Sequence, residues 1–186
     1  MRGFLAAIDV ARARQDDAAF ERFREVIEEI TRAFEAEGRR EYSVRDRAYL
    51  AADVDALVTI ANQTQPGFLG SERVERLLSL LTDRQAAPEP AALHRIAEFA
   101  HSSGMRILEA QALRGLGVAG GDATALSQAI ELFQQSDAVP YAARARIERA
   151  RITADEDDVA AGMRVLETLG DFDYLSRVEH YTRRPG

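Results

Sequence analysis

Apolar residues recur at intervals of three and four along almost the whole chain, which places them on one face of a helix rather than one side of a strand. The first stripe is Phe4, Leu5, Ile8, Val10 and Ala11, predicting a helix over 2–15. Asp16-Asp17 interrupts it, and Asp17 is the expected N-cap of a second helix carrying Phe20, Phe23, Ile27, Ile30 and Phe34. Gly38 suits the end of that helix, so the first two helices form a predicted hairpin. Arg39-Arg40-Glu41-Tyr42 is expected to be a polar connector. Ser43-Val44-Arg45-Asp46 has the form of a capping box with Asp in place of Glu. It predicts a helix over 44–63 that buries Tyr49, Leu50, Val54, Leu57, Val58 and Ala61, stopped by Asn62 to Gly67.

Ser71 is the expected cap of the next helix, whose inner face is Val74, Leu77, Leu78 and Leu81. Ala86-Ala87-Pro88-Glu89-Pro90 is the clearest linker, and it divides a less regular part, 1–87, from a more regular one, 88–186, within a single helical-repeat domain over 1–186. A helix over 91–102 buries Leu93, Ile96, Ala97 and Ala100 and closes at Gly104. Helices follow over 105–119, 122–136, 140–153, 156–169 and 172–182. They are separated by turns at Gly120-Gly121-Asp122, Asp137 to Pro140, Ala154-Asp155 and Gly170-Asp171. No segment alternates as a half-buried strand does.

Composition agrees with helix on helix. Apolar residues make up 46% of the 186, enough for a core, while aromatics are only 7% and small residues are abundant. The net charge is −7, so the bulk of the surface repels phosphate backbones and no nucleic-acid partner is expected. All 24 cations are Arg, which rules out a Schiff-base or phosphate-loop lysine. Cys is absent, which removes disulfides, thiolate nucleophiles and Cys-ligated zinc. The N-terminal apolar run is broken by Asp9 and followed by Arg12 and Arg14, unlike a signal peptide. No uncharged run is long enough to cross a membrane. A cytoplasmic chain without a membrane partner is expected.

The second half repeats. A shift of 33 positions lays Asp122 on Asp155, Leu126 on Val159, Ala129 on Gly162, Ile130 on Met163 and Phe133 on Leu166. A period near that length, with two helices and a Gly/Asp turn, is that of helix-pair repeats. The run Ala112 to Gly117, followed by Gly121-Asp122, Ala129, Phe133 and Pro140, resembles a tetratricopeptide repeat. Leu116-Gly117 sits later than that pattern places its Leu-Gly pair, and the pattern's large aromatics are missing. The segment 142–151, Ala-Ala-Arg-Ala-Arg-Ile-Glu-Arg-Ala-Arg, is similar to degenerate repeats in large actinobacterial regulators. Those proteins join an ATPase module, often with a nucleotide-cyclase or DNA-binding domain, to a helical-repeat C-terminal region. The resemblance implies an all-α fold of antiparallel helical hairpins stacked as a tetratricopeptide-like α-solenoid.

Three patterns invite chemistry, and each has a plainer reading. Gly115-Leu116-Gly117-Val118-Ala119-Gly120 matches a dinucleotide fingerprint, but such a fingerprint follows a strand, and residues 107–113 have helical period. Gly115 and Gly117 are therefore expected inside a helix, where a neighbour approaches closely. His94, Glu98 and His101 share a helix face, yet the two histidines lie about two turns, or 10 Å, apart, too far to share one metal ion. Asp155-Glu156-Asp157-Asp158 opens a helix, where acidic residues meet the positive dipole end. Neither a cofactor, a metal nor a catalytic residue is expected. Arg144, Glu148 and Arg151 share one stripe and, with Gln111 and Arg114, are the candidate partner-binding residues of a solenoid groove. The expected function is non-catalytic: recognition of a protein or peptide, or a regulatory role. The rival expectations are a self-associating all-α protein, whose apolar terminal helices dock on a second copy, and a small-molecule sensor.

Overall fold

The computed structural model describes residues 2–38, 40–63 and 71–182, all of whose regular structure is helical. In chain order the helices are α1 (Arg2–Ala13), α2 (Asp17–Ala36), α3 (Arg40–Ala51), α4 (Val54–Gln63), α5 (Ser71–Asp83) and α6 (Pro90–Ser102). They continue as α7 (Arg106–Gly120), α8 (Ala123–Gln135), α9 (Val139–Thr153), α10 (Glu156–Leu169) and α11 (Phe172–Thr182). The chain is therefore all-α, as its periodicity predicts.

One connection is repeated from end to end. Most helices stop and hand over to the next within two or three residues, so their last carbonyls need partners from the turn itself. At eight connections among the described residues, a residue with positive φ provides them: Gln15, Ala52, Gln85, Gly104, Gly121, Asp137, Ala154 and Gly170. The N–H of the residue that follows donates to the carbonyl five positions back, as in Asp16 to Ala11, Asp122 to Gly117, Asp155 to Ala150 and Asp171 to Leu166. This is the Schellman closure. In five of the eight that following residue is an Asp, free to cap the next helix. The Asp16 carboxylate accepts from the Ala19 N–H, Asp122 from Thr124 and Ala125, and Asp155 from Asp158.

The connection explains two departures from the expected boundaries. Asp16, not Asp17, caps α2. The helix predicted over 44–63 is two helices, because Ala52 takes a left-handed φ of 50° and the Asp53 N–H turns back to Ala48. Nothing in Ala51-Ala52-Asp53 advertises that turn, since glycine is the usual occupant. The expected capping box at Ser43 is also displaced: α3 already begins at Arg40, so Ser43 to Asp46 lie inside a helix and most of the polar connector is helical. Position 39 and the stop signal at 64–67 lie outside the described residues.

The chain divides into two compact units, 1–53 with 166–186, and 54–165. The Pro-containing segment 86–90 falls within the second unit. In the first unit α1 packs on α2 and α11, and α2 packs on α3. Its core gathers Leu5, Ile8 and Ala11 with Ile27, Leu50, Leu175 and Val178. Arg12 donates to the carbonyls of Tyr49 and Leu50 at 2.5 and 2.8 Å, closing the end of α3, and its guanidinium lies over the Phe20 and Tyr49 rings. Val10 and Phe172 are about half exposed, outside the faces used by their helices.

In the second unit α7 is central and touches α5, α6, α8 and α9. Leu126, Ala129, Ile130 and Phe133 of α8 pack with Ala110 of α7 and with Ala138, Ala142 and Ala145 at α9. Full burial of each large side chain here contributes about 1.5–3 kcal/mol. Glycine sets the closest approaches. A Cβ on Gly117 would lie 2.6 Å from Leu126 Cγ, and one on Gly162 would lie 2.6 Å from Ile147 Cγ1.

The equivalence of the turns at Gly121 and Ala154 predicts substitutions of opposite sign. Gly121 has open space around it, so Gly121→Ala meets only the left-handed backbone penalty and destabilises by about 1 kcal/mol. Ala154→Gly removes the same penalty and stabilises by about 0.5–1 kcal/mol. Urea denaturation of the two variants checks both signs.

Candidate functional site

Four charged side chains from three helices of the second unit converge. Asp83 ends α5, Arg114 lies in the middle of α7, and Arg144 and Glu148 occupy successive turns of α9. Arg114 donates from Nε and Nη2 to the two oxygens of Glu148 at 2.7 and 2.5 Å, a bidentate pair. Its Nη2 also donates to Asp83 Oδ1 at 2.5 Å. The other Asp83 oxygen accepts from Arg144 Nη1 at 2.6 Å. The Arg144 guanidinium stands 5.7 Å from the centre of the Tyr141 ring. The group carries two positive and two negative charges and is neutral as a whole.

Its burial is what makes it unusual. The Arg114 side chain is 0% exposed, Asp83 6%, Glu148 9% and Arg144 13%. Removing such ions from water costs several kcal/mol each, which close pairing offsets only when geometry is good. Arg suits this place better than Lys would, because its planar fork serves two carboxylates at once. Gln111 lies one turn before Arg114 on α7, also 0% exposed, and neither atom of its amide has a hydrogen-bond partner among the described residues.

Of the candidate partner-binding residues, Arg114, Arg144 and Glu148 are thus brought together, but they meet one another. Gln111 and Arg114 are sealed from solvent, Glu148 is nearly so, and Arg151 is half-buried. Glu148 reaches across to α7, where it accepts from Arg114. Sequence reasoning missed Asp83, and no local pattern marks it out from the other acidic residues, which number 31 with it. Chemically, the arrangement spends its donors and acceptors on holding α5, α7 and α9 together.

The other motifs take their plainer readings. Gly115 and Gly117 lie inside α7, with no strand before them. A Cβ at Gly115 would come 3.2 Å from Leu93 Cδ2, so both glycines serve packing. His94 is exposed, and His101 Nδ1 pairs with Glu109 Oε1 at 2.9 Å. Among the described residues no three His, Cys, Asp or Glu side chains are grouped to hold a metal ion. In the acidic run at 155–158, Asp155 caps α10, and Asp158 accepts from Arg149 at 2.5 Å. No helix among the described residues is long and apolar enough to cross a membrane.

Comparison with protein-family models, with curated proteins and with solved structures returns no match to this chain. The likeness of 112–140 to a tetratricopeptide repeat accordingly rests on its own residues.

Removing Arg114 takes the bidentate partner from buried Glu148 and leaves Asp83 with Arg144, so Arg114→Met lowers stability by about 3–5 kcal/mol. Replacing the partners as well, in Asp83→Leu, Arg114→Met, Glu148→Leu, recovers part of that loss, since of the four charges only that of Arg144, the most exposed, remains. Guanidinium unfolding midpoints of the single and triple variants distinguish a charge effect from a volume effect.

Proposed function

We propose that the chain is a non-catalytic helical-repeat module of tetratricopeptide type, which recognises a protein segment on the layer formed by α7 and α9. The observation that carries this reading is the period of the helices. Those that open at Pro90, Ala123 and Glu156 are spaced by 33 residues, as are those that open at Arg106 and Val139. The left-handed turn residues keep the same interval at 104, 137 and 170, and again at 121 and 154. Direct contact of α5 with α7 and of α7 with α9 supports a layer made of alternate helices, as in a solenoid of helix pairs.

In this reading the buried cluster is the frame of the recognition surface. Three neighbouring helices of the layer are locked in register by Asp83, Arg114, Arg144 and Glu148, and the partner meets a surface already ordered. Preorganisation of that kind reduces what association loses in side-chain and backbone freedom. Arg151, half-buried further along α9, adds positive charge near it, suited to a carboxylate-bearing segment. Gln111 and Arg114 act from beneath, by position.

Selection of displayed peptides on the purified chain, followed by hydrogen exchange of the chain with the best peptide, tests the reading. Exchange is expected to slow in α7 and α9, and Arg151→Glu is expected to weaken binding about tenfold or more, which corresponds to about 1.4 kcal/mol. Protection confined to α1–α3, or a selection that returns only background, would count against it.

A further inference from the structure

A second feature of the 54–165 unit lies away from the buried cluster. An open cleft of about 200 Å³ is lined by Gln134 and Asp137 at the end of α8, by Val139, Ala142, Ala143 and Arg146 of α9, and by Gly162 and Val165 of α10. Its floor is alanine, glycine and valine. Its polar groups are one cation, one anion and one amide. Among the described residues, neither the Arg146 guanidinium nor the Asp137 carboxylate has an ion pair or side-chain hydrogen bond. That distinguishes Arg146 from its neighbours on α9, since Arg144 is held by Asp83 and Arg149 by Asp158.

We propose that this cleft binds a free aliphatic α-amino acid, its carboxylate on Arg146, its ammonium on Asp137 and its side chain on the floor. Three observations favour that class. Opposite charges that flank one cleft without pairing leave room for a ligand that bridges them, and an α-amino acid carries both signs on groups attached to one carbon. The amide of Gln134 offers both a donor and an acceptor beside them. The end of α8, where Gln134 and Asp137 sit, adds partial negative charge, which places the ammonium there and the carboxylate toward Arg146. Size limits the side chain: the cleft is smaller than the 300 Å³ or more typical of drug-sized ligands, and suits valine or leucine, with about eight or nine non-hydrogen atoms. A peptide terminus offers one charge only, so it satisfies half of the site. The proposal does not depend on the α7–α9 surface and stands if that reading fails.

Isothermal titration of the full chain with L-valine and L-leucine tests it, beside isovalerate, which lacks the ammonium, and isoamylamine, which lacks the carboxylate. Saturable binding of an amino acid is expected, with either analogue weaker by about tenfold or more. Arg146→Gln and Asp137→Asn should each weaken it by a similar factor, and Val139→Phe should block it. Arg146, Asp137 and Val139 are each at least partly exposed, so circular dichroism should show all three variants folded. Any of three results would overturn the proposal: no heat with any aliphatic amino acid up to about 10 mM, a concentration that detects weak metabolite sites; equal binding of isovalerate; or undiminished binding by folded Arg146→Gln.

Discussion

Most helices in this protein end, reverse and hand over to the next within two or three residues, and that constraint organises much of the rest. The last carbonyls of a helix cannot be left bare where a second helix packs beside it. A left-handed residue followed by an N–H that returns to the carbonyl five positions back meets the need, and at eight connections among the described residues it is the device in use. Because the closure has fixed length, the spacing of helices is fixed with it. Five of the left-handed residues are not glycine, so stability is given up at those points. The turn geometry is imposed by the packing around it, and the local sequence only partly favours it.

Close approach follows from the same short connections. Helices joined by two residues meet at full contact, and large side chains cannot face each other along the whole seam. Gly117 against Leu126, Gly162 against Ile147 and Gly115 against Leu93 are the points where one helix yields its side chain so that another can enter. Ala129, Ala142 and Ala145 do the same more mildly around Phe133. The buried ion cluster is the opposite solution to filling a seam. Arg114 occupies the volume of a large apolar residue and brings a charge that only two fixed carboxylates can balance. Apolar side chains tolerate sliding past one another, whereas a bidentate pair at 2.5–2.7 Å does not. Asp83, Arg114 and Glu148 therefore set the register of α5, α7 and α9 more sharply than leucines would.

Most helix boundaries after residue 90 were legible because glycine, proline or aspartate stands at nearly every turn: Pro90, Gly104, Gly121-Asp122, Pro140 and Gly170-Asp171. Before residue 90 the same turn is written with Gln15 and Ala52, residues with no left-handed preference, and Ala52 was passed over as helix interior. The candidate residues show a different limit. Periodicity tells which residues share a face, and it grouped Arg144 with Glu148 correctly. It cannot tell a face turned to solvent from one turned to a neighbouring helix, so Gln111 and Arg114 read as groove residues although both are fully buried. Asp83 was invisible because its meaning comes from a helix 31 residues further on.

The arginine-only sequence gains sense from this contrast. On α9, three arginines within six positions have three different fates: Arg144 joins the buried cluster, Arg149 ties α9 to the start of α10, and Arg146 is left beside an apolar cleft. Helical rotation separates them, since successive positions two and three apart face different neighbours. Composition supplied the same charged group at each place, and the neighbouring helix determined its role. Where α5 offered the Asp83 carboxylate, the guanidinium became structure. Where α8, the turn after it and α10 offered small apolar side chains, the Gln134 amide and the Asp137 carboxylate, it lines an open cleft. Chemistry in this protein is therefore to be sought at seams where helix packing leaves a charge unmatched, and α9 presents that seam at Arg146.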